Sequence, residues 1–487
     1  MAKKTTFQRK KEDLGRFLDL FKAAVDEHHQ AVISANKSGQ QRPTTHHDYP
    51  RYTQLDSGFP SIHEIGAFGD APTHYLTSIG ARSLAGLLGG FIGDKSELPT
   101  LNELTKFLAK SEFASHLGIT DGTSSWLLGL RVGDVVERYL HRYGIESPLI
   151  EAKRDKLIWP IVSGMVLKTL RMRLVVPIAL THFDVDRFRL TDSTYIVRLP
   201  KKMQMARYAV NRYGAGVTRM VANAATHAFV SNNWSLELET HGEARGGLSN
   251  ISENVLDAID VFFGALRTAT GITTGYAQVL WAPNGWALDY YCDLPRFYGS
   301  TILRYPEEFD DYGWTRRGKA VTRAELLEVR RIYQALNGDP NEAMTLAIKR
   351  LNSSLTRADA ADAVLDAVIG MELLLGDDQN QSLSYKLRLR ASALAFLGKT
   401  NHTPLSIAQL VKDVYAARSS IVHGLKKKTS KKLKPVSDKR YEDERHKASE
   451  LLRFVIDALL MHPKFLDPSK IDTELLLRSG VDSGGDS

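Results

Sequence analysis

The sequence predicts a mainly α protein in which an antiparallel helical bundle closes the chain and an α+β region precedes it. Three observations carry that expectation. Five apolar-periodic stretches follow one another after residue 340 with short connections between them. Runs of β-branched and aromatic residues bounded by Pro, Gly or Asn are confined to about 157–310. The composition, 43 % hydrophobic and 25 % charged over 487 residues, is that of an ordinary globular protein. The expected division is a mostly helical region at 1–150, a mixed α/β region at 151–335, the bundle at 340–465 and a flexible tail at 466–487.

The first element is an amphipathic helix, because Leu14, Phe17, Leu18, Phe21, Ala24 and Val25 share one face. A polar loop rich in Pro, Thr and His follows at 37–60, and short, glycine-broken helices run to about 143. The apolar stretch 158–180 is interrupted by Lys168, Arg171 and Arg173, so no bilayer span and no membrane partner are expected. Strands are expected at 194–200 and 275–283, with a hairpin turn at Asn284-Gly285. From Thr322 onward the pattern is helical. After the Gly-Asp-Pro break at 338–340, helices are expected at 342–355, 358–375, 383–397, 406–422 and about 439–461. Gly376, Gly398 and Gly424 stand where left-handed caps would stop three of them.

One cysteine, Cys292, excludes a disulfide framework and a Cys-rich zinc or iron–sulfur site, and it suits a reducing compartment. The opening MAKKTTFQRKKEDLGRF has no signal-peptide core, so a cytoplasmic location is expected. The net charge of +8 is concentrated: ten Lys or Arg against four acids fall in 426–447, six of the lysines in KKKTSKKLK at 426–434. Such a run contacts phosphates without reading sequence, or simply stays solvated.

Three motifs are set aside. GGFIGDKS at 89–96 places Asp94 between Gly93 and Lys95, where a phosphate-binding loop needs the lysine directly after glycine. His46, His47 and Asp48 are adjacent on one loop and read as exposed, because neighbouring residues rarely aim at one point. His28 and His29 read as the wet side of the first helix. No metal and no cofactor are expected.

YAARSSIVHG at 415–424 stands apart. An Arg followed by four to six residues and His is expected about three times by chance among 35 Arg and 15 His, and three occur. Arg42 is followed by proline in a polar loop, and Arg440 lies on a solvated helix face. Arg418 instead closes an apolar-periodic helix and is followed by Ser419, Ile421, Val422 and His423. Residues five apart on an ideal helix leave it about 140° apart. One straight helix therefore cannot aim Arg418 and His423 at one point; a distorted helix end or a second copy must. The plainer alternative, Arg418 capping a carbonyl with His423 packed, stays open on these residues.

Residues 340–462 resemble the HEPN ribonuclease domain (higher eukaryote and prokaryote nucleotide-binding), most closely its Apea-like branch. DAADAVLDAVIGMELLLG at 359–376 resembles the family's acidic helix, SYKLRLRASALAFLG at 384–398 its Arg-containing second helix, and VYAARSSIVHG its R-x4–6-H motif. The resemblance covers about a quarter of the chain. It implies a helical bundle that homodimerises to pair two such motifs in a cleft, metal-independent RNA cleavage, and a role in abortive antiphage defence. It also implies that the preceding region senses a trigger or restrains the nuclease. The alternative within the resemblance is an inactive module for dimerisation or for nucleotide or RNA binding.

On that reading the RNA 2′-hydroxyl attacks the adjacent phosphorus and leaves a 2′,3′-cyclic phosphate. His423 exchanges protons near neutral pH. Arg418 meets the developing phosphate charge, and Ser419 orients the phosphate or the imidazole. Glu372 holds Arg418 or His423, or is an ordinary surface acid. Lys386, Arg388 and Arg390 are expected on RNA backbone or on Glu372. Lys426, Lys427, Lys428, Lys431, Lys432 and Lys434 are expected to clamp RNA, transfer RNA included.

Overall fold

The structure is a computed structural model that describes residues 6–39, 42–66, 69–79, 98–119, 125–211, 216–338, 341–377, 382–397, 402–427 and 441–477. The motif at 89–96, the cap position Gly398 and most of the lysine run lie outside the described residues. Helices of ten or more residues are numbered below.

Helices α1 (Thr6–Ser38), α2 (Pro99–Leu108), α3 (Ser125–Tyr143) and α4 (Glu151–Val166) form the first core. Phe17 and Phe21 pack there with Leu104, Val132, Leu157 and Ile161, all out of water. The predicted face of α1 is buried, but the helix is covered on more than that face. His28 and His29, expected to be wet, are buried. His29 meets the Tyr139 ring edge-on at 5.5 Å, and Glu27 accepts the Thr100 N–H at the start of α2. Burial pushes His28 down to about 4.

The expected loop at 37–60 is partly strand. β1 (Thr44–Thr45) pairs with β4 (Thr73–His74), and β2 (Pro50–Gln54) forms a hairpin with β3 (Pro60–Glu64). Gly58, with φ +87°, turns that hairpin, a conformation glycine adopts freely. Polar composition hid these strands because both are short and only half-covered.

A six-stranded antiparallel sheet follows, in the order β10-β9-β5-β8-β7-β6. Its strands are β5 (Thr169–Pro177), β6 (Arg187–Arg189), β7 (Thr194–Arg198), β8 (His227–Glu237), β9 (Tyr276–Pro283) and β10 (Tyr298–Arg304). The predicted strands at 194–200 and 275–283 are β7 and β9. The expected hairpin at Asn284-Gly285 is instead a turn: Asn284 N–H bonds the Arg171 carbonyl and the chain wanders to residue 298 before pairing back. α5 (Lys201–Asn211) covers part of one sheet face, while α6 (Glu253–Thr270) and α7 (Arg323–Gly338) cover the other. Phe229 of β8 stacks on Phe262 of α6 at 4.3 Å. Thr322 and Glu325 form a capping box at the start of α7, the threonine hydroxyl accepting the Glu325 N–H and the glutamate accepting the Thr322 N–H at 2.7 Å.

The bundle consists of α8 (Glu342–Thr356), α9 (Ala360–Leu375), α10 (Leu383–Leu394), α11 (Pro404–Lys427) and α12 (Glu442–Met461), close to the predicted spans. Asn341 and Asp359 cap α8 and α9 by accepting the N–H groups of Met344 and Asp362. Two expected caps fail. Gly376 is extended rather than left-handed, and Gly424 lies inside α11, which runs on to Lys427.

The boundaries expected at 150 and 335–340 are not breaks in the core. α4 belongs with the first core. The sheet, α6, α7 and the bundle share one hydrophobic cluster from Leu170 to Ile471. Gly264 of α6 lies so close to Ile348 of α8 that any Cβ there would overlap the isoleucine. Beside it, buried Arg267 donates to Asn352 of α8 at 2.6 Å and to the Thr274 carbonyl at 2.5 Å. The first part of the expected tail also folds back: Ile471 is buried and Asp472 pairs with Arg390. Residues 478–487 lie outside the described residues. Among the described residues, no helix is long and apolar enough to cross a membrane.

Candidate functional site

α9 is apolar around most of its circumference, as befits the central helix of the bundle. That makes its polar positions informative. Asp366 is buried and held by Arg350 at 2.6 Å and by Arg357. Glu372, near the C-terminal end, is half-buried and faces α11 instead.

On α11, Tyr415 and Arg418 are three residues apart and so share a face. The Tyr415 hydroxyl donates to Glu372 Oε1 at 2.9 Å. Arg418 Nη2 approaches the same oxygen at 3.7 Å, and its guanidinium lies 5.5 Å from the Tyr415 ring centroid. Burial, then the hydrogen bond to Glu372, pushes the Tyr415 phenol up to about 12, so it remains a donor at neutral pH. Glu372 is thus fixed mainly by tyrosine. Arg418 is steered by a long contact and is 35 % exposed. Its forked donors remain able to meet an anion arriving from solvent. Ser419, the next residue, is exposed.

The structure therefore brings together Arg418 and Glu372, with Ser419 beside them, and adds Tyr415. Tyr415 opens the motif quoted above but has no expected role there. Its signal was an aromatic residue three positions before the arginine. His423 lies further along α11, whose helical backbone is unbroken across 418–423, so one copy does not aim both positions at one point. The His423 side chain lies outside the described residues, as do those of Lys426 and Lys427; Lys428, Lys431, Lys432 and Lys434 lie outside them entirely.

The second expected group divides. Arg390 is 4 % exposed, and its guanidinium is held by Asp472 at 2.6 Å, by Asp377 and by the Leu375 carbonyl at 2.7 Å. It ties α10 to the chain after α12 and is withdrawn from any RNA surface. Lys386 pairs with Asp377 at 2.7 Å rather than with Glu372. Arg388 is half-exposed, its guanidinium 5.6 Å from the Tyr385 ring centroid.

No protein-family model, no curated protein and no solved structure matches this chain.

Proposed function

We propose that the chain is a HEPN-type endoribonuclease that cleaves RNA without a catalytic metal, in antiphage defence, with the N-terminal regions sensing or restraining. The carrying observation is the half-open cluster on α9 and α11: Arg418 over Tyr415, loosely steered by Glu372, with exposed Ser419 beside it. Arg418 is placed to stabilise charge developing on phosphate oxygens. His423 transfers the proton, and the RNA 2′-hydroxyl is the nucleophile. The straight run of α11 keeps Arg418 and His423 of one copy from aiming at one point, which favours completion of the pair by a second copy, and on this reading the active species is a homodimer. Exposed Ile369 and Leu373, 37 % and 38 % accessible on α9 beside Glu372, give that dimer an apolar contact.

The same apolar pair supports a second reading, an inactive dimerisation module. One assay separates them. Wild-type, Arg418→Ala and His423→Ala proteins are incubated with total and transfer RNA in chelator, melts are run in the same buffer, and product ends are tested for cyclic phosphate. Cleavage by wild type alone, ending in cyclic phosphate, supports the nuclease. A folded dimer that cuts nothing, and whose induced expression slows growth no more than the His423→Ala form, supports the module.

A further inference from the structure

The most concentrated set of metal-binding side chains lies far along the chain from α11, against the first core. His46 leaves β1 and His74 sits in β4. Glu137 and His141 stand one turn apart on α3, and Cys292 lies in the connection between β9 and β10. The nitrogen, oxygen and sulfur atoms of His46, His141 and Cys292 lie within 4.8 Å of one another, and so do those of His46, His74 and Glu137. His46 Nε2 and His141 Nε2 approach the same oxygen, Glu137 Oε1, at 2.9 and 3.1 Å. The His74 ring stacks on His46 at 4.2 Å. Cys292 and Glu137 are buried, and His46 and His141 keep only 11 % and 9 % of their side-chain surface.

We propose that this cluster is a tetrahedral Zn²⁺-class site with His46 Nε2, His141 Nε2, Glu137 Oε1 and Cys292 Sγ as ligands and His74 as the ring that positions His46. Two imidazoles, one carboxylate and one thiolate suit a borderline-soft divalent ion. The two anionic ligands also balance its charge, which a buried site requires. Tetrahedral ligands around zinc stand about 3.3–3.6 Å apart, and His46 is the side chain the two triads share, so metal binding has to draw Glu137 and Cys292 together about it. The backbone already holds Cys292 in place. Its φ of +48° is left-handed, which a side chain adopts only when its surroundings impose it. Arg138, next to Glu137 on α3, donates to the Cys292 and Leu294 carbonyls at 3.1 and 2.8 Å. The proton balance is simple. The thiol S–H bond breaks, an S–metal bond forms and that proton goes to solvent. Each imidazole frees Nε2 by carrying its proton on Nδ1 and stays neutral.

With all four positions taken by protein, the site is structural, clamping the first core to the sheet. It does not rest on the nuclease reading. The test uses the full chain, stripped with chelator, desalted and titrated with Co²⁺. The expected result is one ion per chain, visible bands of tetrahedral strength, a thiolate charge-transfer band, about one proton released, and displacement by Zn²⁺. Cys292→Ser, close to isosteric, removes the charge-transfer band and weakens binding at least tenfold. His46→Gln weakens binding similarly, His47→Gln does not, and Arg418→Ala binds as wild type. A wild-type chain that gives no tetrahedral spectrum overturns the site, as does a spectrum indifferent to Cys292→Ser in protein of unchanged circular dichroism.

Discussion

Glu137 and Glu372 each collect donors from neighbouring elements, in opposite surroundings. Glu137 keeps 7 % of its side-chain surface and accepts from His46, His141 and the backbone N–H groups of Tyr75 and Leu76. Burial alone would raise its pKa. The hydrogen bonds from His141 and His46 overcome that and hold the carboxyl down to about 2. Glu372 keeps 19 % and is met by one tyrosine and a distant arginine. A carboxylate with four protein donors is committed to holding the fold, or to a metal that replaces its donors. A carboxylate with one short bond, beside a half-exposed arginine and an exposed serine, leaves charge available for something arriving from outside.

The largest effect expected comes from acid. His28, His227 and His241 are each pushed down by burial to about 4 from the ordinary 6.5. A depressed folded value means that the unfolded chain binds protons first. Their contribution is therefore whole above pH 6.5 and is lost as pH falls toward 4, at about 1.4 kcal/mol per group per pH unit. Glu137 follows the same sign lower down: present above about 4.5, lost on the way to 2. Urea midpoints at pH 7.5 and 5 should differ sharply, and equal midpoints would show that burial does not govern these groups. Next in size, Arg418→Ala should lower RNA cleavage about 10²–10³-fold. Its effect on the melt should be small, because a half-exposed pair contributes about 0–1 kcal/mol. A large stability loss without a rate loss would erase the contrast with Glu137. Glu137→Gln should do the converse and cost about 2–3 kcal/mol in urea unfolding, since charge-assisted bonds to buried donors are lost. Smallest is Tyr415→Phe, which frees Glu372 Oε1. A several-fold slower cleavage with stability changed by about 1 kcal/mol is expected, and no change in rate would remove Tyr415 from the site.

Local signals made the bundle legible. Its five helices announce themselves by apolar period. What could not be read was anything set by distant packing. His28 and His29 look exposed until α2 and α3 close over α1. The three metal-ligand candidates beyond His46, namely Glu137, His141 and Cys292, come from elements up to 246 positions away, and no spacing rule joins them. The pairing of Arg390 with Asp472 likewise turned an expected RNA contact into a tie. Of the cluster between α9 and α11, Arg418, Ser419 and Glu372 were singled out through a resemblance, while Tyr415 needed the neighbouring helix in place.

The contact of Gly264 with Ile348 has one more consequence. The bundle owns no waterproof side of its own: cut after residue 338, it would present Ala347, Ile348 and Leu351 to solvent, all of them at 1 % exposure or less in the whole chain. The chain is not an assembly of interchangeable cassettes. Sheet and bundle share one hydrophobic core, and a strain applied at the sheet reaches α9 through solid packing rather than through a linker.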